Sequence, residues 1–184
     1  LQLSPRDIET VRSWILYKNQ QVIVLNKPAG IAVQGGTDQK VHIDGMLQAA
    51  LNFHEFKEEE PRLVHRLDKE TSGCLLIARN RKAAQELSEW VNPYHQNQQA
   101  ASLKKCYWAL VVGKPKPSTG RIKMPLQRIF AHGSDKVIVP PPQGNEENDA
   151  KMSVTEYRTI DAQSELLSWV AFYPQTGRLH QIRV

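Results

Sequence analysis

Apolar and polar positions change their period several times along the chain, and each change predicts an element. Val22 to Leu25 is continuously apolar, as in a buried strand. Lys27-Pro28-Ala29-Gly30 then forces an extended turn, because Pro lacks an amide hydrogen and Gly tolerates unusual dihedrals. Lys27 is thereby expected at a strand end. In "GMLQAALNF" apolar side chains recur at helical spacing behind Asp44, a candidate cap, and "RNRKAAQELSEWV" predicts a second helix for the same reason. "CLLIAR", "CYWALVVG", "GRIKMPL", "KVIVP", "SVTEYRTID" and "LLSWVAFYP" read as strands divided by Gly and Pro signals. Strands outnumber helices and do not alternate with them. The expected fold is therefore α+β, a mixed and largely antiparallel sheet with flanking helices, in one domain over residues 1–184. "NPYHQNQQAAS" and "VPPPQGNEENDA" read as polar insertions, and no internal repeat is present.

Length and composition narrow this picture only a little. The 184 residues suffice for one well-packed core, and no apolar run reaches the length of a membrane span. Cys74 and Cys106 both lie in strand-like runs and lack metal-site spacing, which favours a reduced intracellular compartment over a disulfide scaffold; mitochondrial matrix and cytoplasm both fit. The sequence opens on Leu1 without a leader-like segment, and "RLHQIRV" stops at Val184 within a strand-like run, so a fragment truncated at its C-terminus is expected.

Charge placement says more than the net charge of +5. From Leu103 to Ser134 there are seven basic residues, Lys104, Lys105, Lys114, Lys116, Arg121, Lys123 and Arg128, and no acid. The acids gather in "HEFKEEEP" and "QGNEENDA". Such segregation fits a surface that faces phosphates, and equally a solvated Lys-rich loop.

Three stretches carry candidate chemistry. In "LVHRLDKETSGCLLIARN", Asp68 precedes a turn whose Thr71 and Ser72 can satisfy backbone groups, while Gly73 lets the chain reverse into a strand. A carboxylate held this way can act as nucleophile, base or acid, or it can cap the turn. In "KKCYWALVVG", Tyr107 and Trp108 point to opposite faces of one strand, so one can enter the core while the other faces a cleft. Tyr107 beside Lys104 and Lys105 suits stacking on a nucleobase, as it suits a half-buried core position. In "QTGRLHQIRV", a Gly turn brings Arg178, His180 and Arg183 into or near a strand, and an arginine set against Asp68 would keep that carboxylate ionised. An ordinary surface ion pair fits the same residues.

Taken in order, "ILYKNQQVIVLNKPAGIAVQGG", "LVHRLDKETSGCLLIARN", "KKCYWALVVG" and "QTGRLHQIRV" resemble the RluA-type family of RNA pseudouridine synthases, most closely its RluC-like branch, over Ile15 to Val184. The resemblance implies isomerisation of uridine to pseudouridine in structured RNA, most often ribosomal, with no cofactor and no metal. It implies that Asp68 is the catalytic nucleophile, that Tyr107 packs on the target base and assists removal of a proton from it, and that Arg183 pairs with the aspartate. Arg66 then suits the space left by an extruded nucleotide. His65 and Lys27 become support or RNA contacts, and Lys104, Lys105, Lys114, Lys116, Arg121 and Lys123 become phosphate contacts.

Family members usually continue past "HQIRV" with a segment that completes the catalytic domain, and many carry an amino-terminal S4-like domain; neither is visible in these residues. The polar insertion from Asn92 to Ala101 is long for this branch and offers a place for ribosome-assembly partners. A second class of function stays open beside the enzyme: an RNA-binding or ribosome-assembly factor that keeps the fold without using its chemistry.

Overall fold

A computed structural model describes residues 3–36, 41–50, 61–92, 103–131, 134–141 and 149–184. The chain divides into two compact units, Leu1–Val91 and Asn92–Val184.

The first unit begins with α1, Pro5–Ser13, started by a reciprocal cap. Ser4 Oγ accepts from the Asp7 amide at 3.2 Å and Asp7 Oδ2 accepts from the Ser4 amide at 3.1 Å, while Pro5 occupies a position that needs no amide donor. The helix buries Val11 and packs on α2, Ile43–Ala50, where Arg12 Nε donates to the Ala50 carbonyl at 3.2 Å. Asp44 is not the cap of α2. His42 takes that place, its Nδ1 accepting from the Gly45 amide at 3.1 Å, because the helix starts one residue before Asp44.

Four strands form the sheet of this unit in the order β1-β2-β4-β3: β1 Ile15–Lys18, β2 Val22–Lys27, β3 Arg62–Leu63 and β4 Gly73–Ala78. All pairs are antiparallel, with Ile23 opposite Ile77, Leu25 opposite Leu75 and Lys27 opposite Gly73. Alternation puts Ile23, Leu25, Leu75 and Ile77 on one face, all essentially inaccessible to water. Val22 and Ala78 lie on the other, packed with Ala83 and Leu87 of α3, Arg81–Val91. Asn80 caps α3 by accepting from the Ala83 amide at 2.8 Å.

The second unit is a five-stranded antiparallel sheet in the order β5-β9-β8-β6-β7: β5 Tyr107–Val112, β6 Thr119–Ala131, β7 Ser134–Ile138, β8 Lys151–Gln163 and β9 Leu167–Pro174. The long β6 pairs with β8 from Thr119 to Leu126 and with β7 from Gln127 to Ala131. Buried hydroxyls tie elements together: Ser168 Oγ donates to the Gly113 carbonyl at 2.7 Å and Ser153 Oγ to Met124 at 2.8 Å.

The α+β, largely antiparallel architecture expected from the sequence is the one observed; the parallel contact among the described residues is an isolated bridge between Ala32 and His42. The strand expected in "RLHQIRV" is not formed. Those residues make tight turns instead, with the Gln181 amide donating to Arg178 O at 3.2 Å and the Arg183 amide to His180 O at 2.8 Å. Most of each polar insertion, 93–102 and 142–148, lies outside the described residues. Among the described residues, no helix is long and apolar enough to cross a membrane.

Candidate active site

Asp68 sits in the connection between β3 and β4, residues 64–72, half-buried at a tight turn. The Thr71 amide donates to the Asp68 carbonyl at 3.0 Å and closes the turn. Gly73 then enters β4 with φ of +121°, a conformation that L side chains rarely adopt, so glycine is required for the chain to leave the turn along this path. Leu67, buried, pins the segment from below, while Arg66 beside it is exposed.

Two side chains fix this turn from outside it. His65 Nε2 accepts from the Leu76 amide at 2.9 Å, which ties the approach to Asp68 onto the strand that leaves it. Lys27, inaccessible to water, donates to the carbonyls of Pro28 at 2.7 Å, Ile31 at 2.8 Å and Lys69 at 3.1 Å. An ammonium has three donors, and these bonds use all of them. The Gly30 amide also donates to Lys69 O, at 2.8 Å, so the turn after β2 and the turn at Asp68 share one carbonyl. Burial pushes Lys27 below the ordinary lysine pKa, and the negative charges of Glu70 and Asp68 offset part of that shift. The Lys27 ammonium is enclosed and its hydrogens are all taken by backbone carbonyls.

Tyr107 and Arg183 belong to the second unit. Tyr107 opens β5, half-buried, opposite Phe172 of β9, which lies opposite Tyr157 of β8, itself opposite Gly120 of β6. Residues opposite one another share a face, so three aromatic rings run in a row across the sheet. Gly120 leaves room for the last of them: a Cβ there would stand 2.8 Å from the Tyr157 ring, whose hydroxyl donates to Pro117 O at 3.0 Å. Trp108 takes the opposite face, exposed, and meets Trp169 edge-on with ring centroids 5.2 Å apart. Arg183 is exposed in the turn that follows β9.

The basic residues fall in the second unit with differing surroundings. Lys104, Lys114 and Lys123 are exposed, and Lys105 is half-buried, its pKa pushed down by desolvation. Lys116 lies 3.1 Å from Glu165 and Arg121 lies 3.4 Å from Glu156, its cross-strand partner. An acid-free stretch of sequence therefore meets acids from β8 and the turn after it. Among the described residues no group of His, Cys, Asp or Glu is arranged to hold a metal ion.

Comparison with known proteins gives this geometry a context. The family model described as RNA pseudouridylate synthase matches residues 21–184. The mitochondrial RNA pseudouridine synthase 4 of Arabidopsis thaliana is 37% identical over 190 residues, covering 100% of this chain and 39% of that protein. The ribosomal large subunit pseudouridine synthase C of Rickettsia bellii is 33% identical, covering 93% of this chain and 51% of that one. The solved structure of human RNA pseudouridylate synthase domain containing 4 superposes with a TM-score of 0.72 at 27% identity, covering 97% of this chain and 66% of that chain. The chain thus spans between about two fifths and two thirds of the length of these relatives.

Proposed function

Because the chain belongs to the RNA pseudouridylate synthase family, we propose that the protein isomerises uridine to pseudouridine in structured RNA, with ribosomal RNA of the large subunit as its substrate. The observation that carries this reading is the family match, which runs through residues 21–184 and so takes in the Asp68 turn, Tyr107 and Arg183. The substrate follows from the name of the Rickettsia relative, and a mitochondrial location from that of the plant relative.

In this proposal Asp68 is the nucleophile. The bond between uracil N1 and the ribose C1′ breaks, a bond between C5 and C1′ replaces it, and the proton on C5 departs as N1 gains one. No atom is added or lost overall, so the protein's task is to reach the base, hold it and turn it. A uridine stacked within an RNA fold hides its glycosidic bond, which makes extrusion of the nucleotide the first requirement. Exposed Arg66, next to the Asp68 turn, supplies a cation to fill the vacated space. The family resemblance gives Tyr107 the role of packing on the extruded base and assisting loss of the C5 proton, and gives Arg183 the role of the guanidinium that keeps the catalytic carboxylate ionised. The clamp of Lys27 and His65 supports this role for Asp68, because a nucleophile gains most when its approach is fixed before substrate arrives.

The direct test uses purified full-length protein and an unmodified large-subunit ribosomal RNA transcript. Wild type should generate pseudouridine at a defined position and Asp68→Asn should generate none while still binding the transcript. Turnover by Asp68→Asn would remove the aspartate from the chemistry.

A further inference from the structure

We infer that Gln181 is a positioning residue for Arg183, an assignment that rests on the catalytic reading of Arg183 above. The Gln181 carboxamide uses every hydrogen-bonding position it has. Its Oε1 accepts from Thr176 Oγ1 at 2.7 Å and from the Arg178 amide at 2.9 Å; its Nε2 donates to the Val154 carbonyl at 3.0 Å and to Thr155 Oγ1 at 2.9 Å. A side-chain amide offers two acceptor sites and two donors, and all four are filled. The orientation is fixed by chemistry, since a backbone N–H faces the oxygen and a backbone C=O faces the nitrogen.

The bonds join two parts of the second unit. On one side is β8, paired on both flanks within the sheet. On the other is the turn at 178–184, which belongs to no strand and contains His180 with φ of +53°, a left-handed conformation that a non-glycine residue holds only when its surroundings enforce it. The Arg183 amide bonds to the carbonyl of that same His180. Thr176 extends the tie, its Oγ1 accepting from the Val154 amide at 2.9 Å, and Arg178 Nε donates to Met152 O at 3.0 Å. Gln181, together with Thr176 and Arg178, therefore sets where the turn stands on β8, and Arg183, two residues on from Gln181, inherits that position. Glutamate in its place would keep both acceptor bonds and lose both donated ones, to Val154 O and Thr155 Oγ1; alanine would lose all four.

The test is a double-mutant cycle in the full-length protein, read as pseudouridine formation on the transcript that wild type modifies. Gln181→Ala should lower kcat by about 10- to 100-fold with KM for RNA changed by less than about threefold, the pattern of lost transition-state positioning. Gln181→Glu should fall between that and wild type, and it carries the test if the alanine variant does not fold. On an Arg183→Lys background the same Gln181 substitution should cost several-fold less, because residues acting through one group are not additive. Equal losses in the two backgrounds, or a raised KM with kcat unchanged, would overturn the assignment. A wild type that modifies no RNA would overturn the functional reading, and this inference with it.

Discussion

The ammonium of Lys27 donates to the main-chain carbonyl of Lys69 at 3.1 Å, so a buried charge at the end of β2 holds the residue that follows Asp68. This bond links two loops 42 positions apart in sequence. It makes the backbone path through the Asp68 turn a property of the first unit's fold.

Removing that charge should be costly. In Lys27→Met the Pro28, Ile31 and Lys69 carbonyls lose a donor each; Lys69 O keeps the Gly30 amide, and the two acceptors left without partners cost about 1–3 kcal/mol apiece before relaxation. Urea denaturation should show a loss of about 2–5 kcal/mol, the range for removing one member of a buried charged network. A loss below about 0.5 kcal/mol, typical of surface substitutions, would show that Lys27 is not the clamp.

The same residue predicts a pH dependence. Burial lowers the Lys27 pKa from its ordinary 10.5, with Glu70 and then Asp68 opposing the shift. Between the folded value and 10.5 the unfolded chain binds more protons here than the folded chain, so folding gains as pH rises through that window. The stability of wild type relative to Lys27→Met should therefore climb toward pH 10.5. A relative stability that declines over that range contradicts the burial of a charged ammonium.

Gly120→Ala should destabilise the second unit by about 1–3 kcal/mol through overpacking against Tyr157. In a Tyr157→Ala background the same change should be close to neutral, since the ring that it meets is gone. Thermal melts of the four proteins decide this, and equal costs in both backgrounds would place the strain elsewhere.

Lys114→Gln with Lys116→Gln should weaken RNA binding and reduce the slope of log affinity against log salt by about 1–2, one increment for each phosphate no longer neutralised. Glu165→Gln should act the other way and strengthen binding, because it releases Lys116 from its ion pair. The pair itself contributes at most about 1 kcal/mol to stability, as exposed pairs do. Filter binding across salt concentrations measures both effects, and an unchanged slope rules out phosphate contact at these lysines.

Much of the fold is legible in the sequence because its signals are local. The apolar run at Val22–Leu25, the Gly and Pro punctuation between later strands and the helical spacing after Asn80 each specify an element from a short window. The capping pair Ser4 and Asp7 is equally local, although α1 is not among the elements predicted from the sequence. What the sequence does not reveal depends on partners far along the chain. Lys27 looks exposed beside a Pro-Gly turn until Lys69 is brought to it, and Gln181 looks like one polar residue among several until β8 is in place. The "RLHQIRV" segment has the alternation of a strand, but the Gln181 carboxamide and the left-handed His180 hold it as turns. Arg121 and Lys116 lie in an acid-free stretch and meet their acids only through strand pairing and a neighbouring turn.

The central claim is that Asp68 carries uridine isomerisation on ribosomal RNA. It is tested most directly by depleting the full-length protein from its own cells, restoring either wild type or Asp68→Ala, and mapping pseudouridine across all ribosomal and transfer RNAs. The account predicts that a large-subunit position loses its pseudouridine on depletion and regains it with wild type alone. Recovery of that position by Asp68→Ala, or no change at any position on depletion, would contradict it.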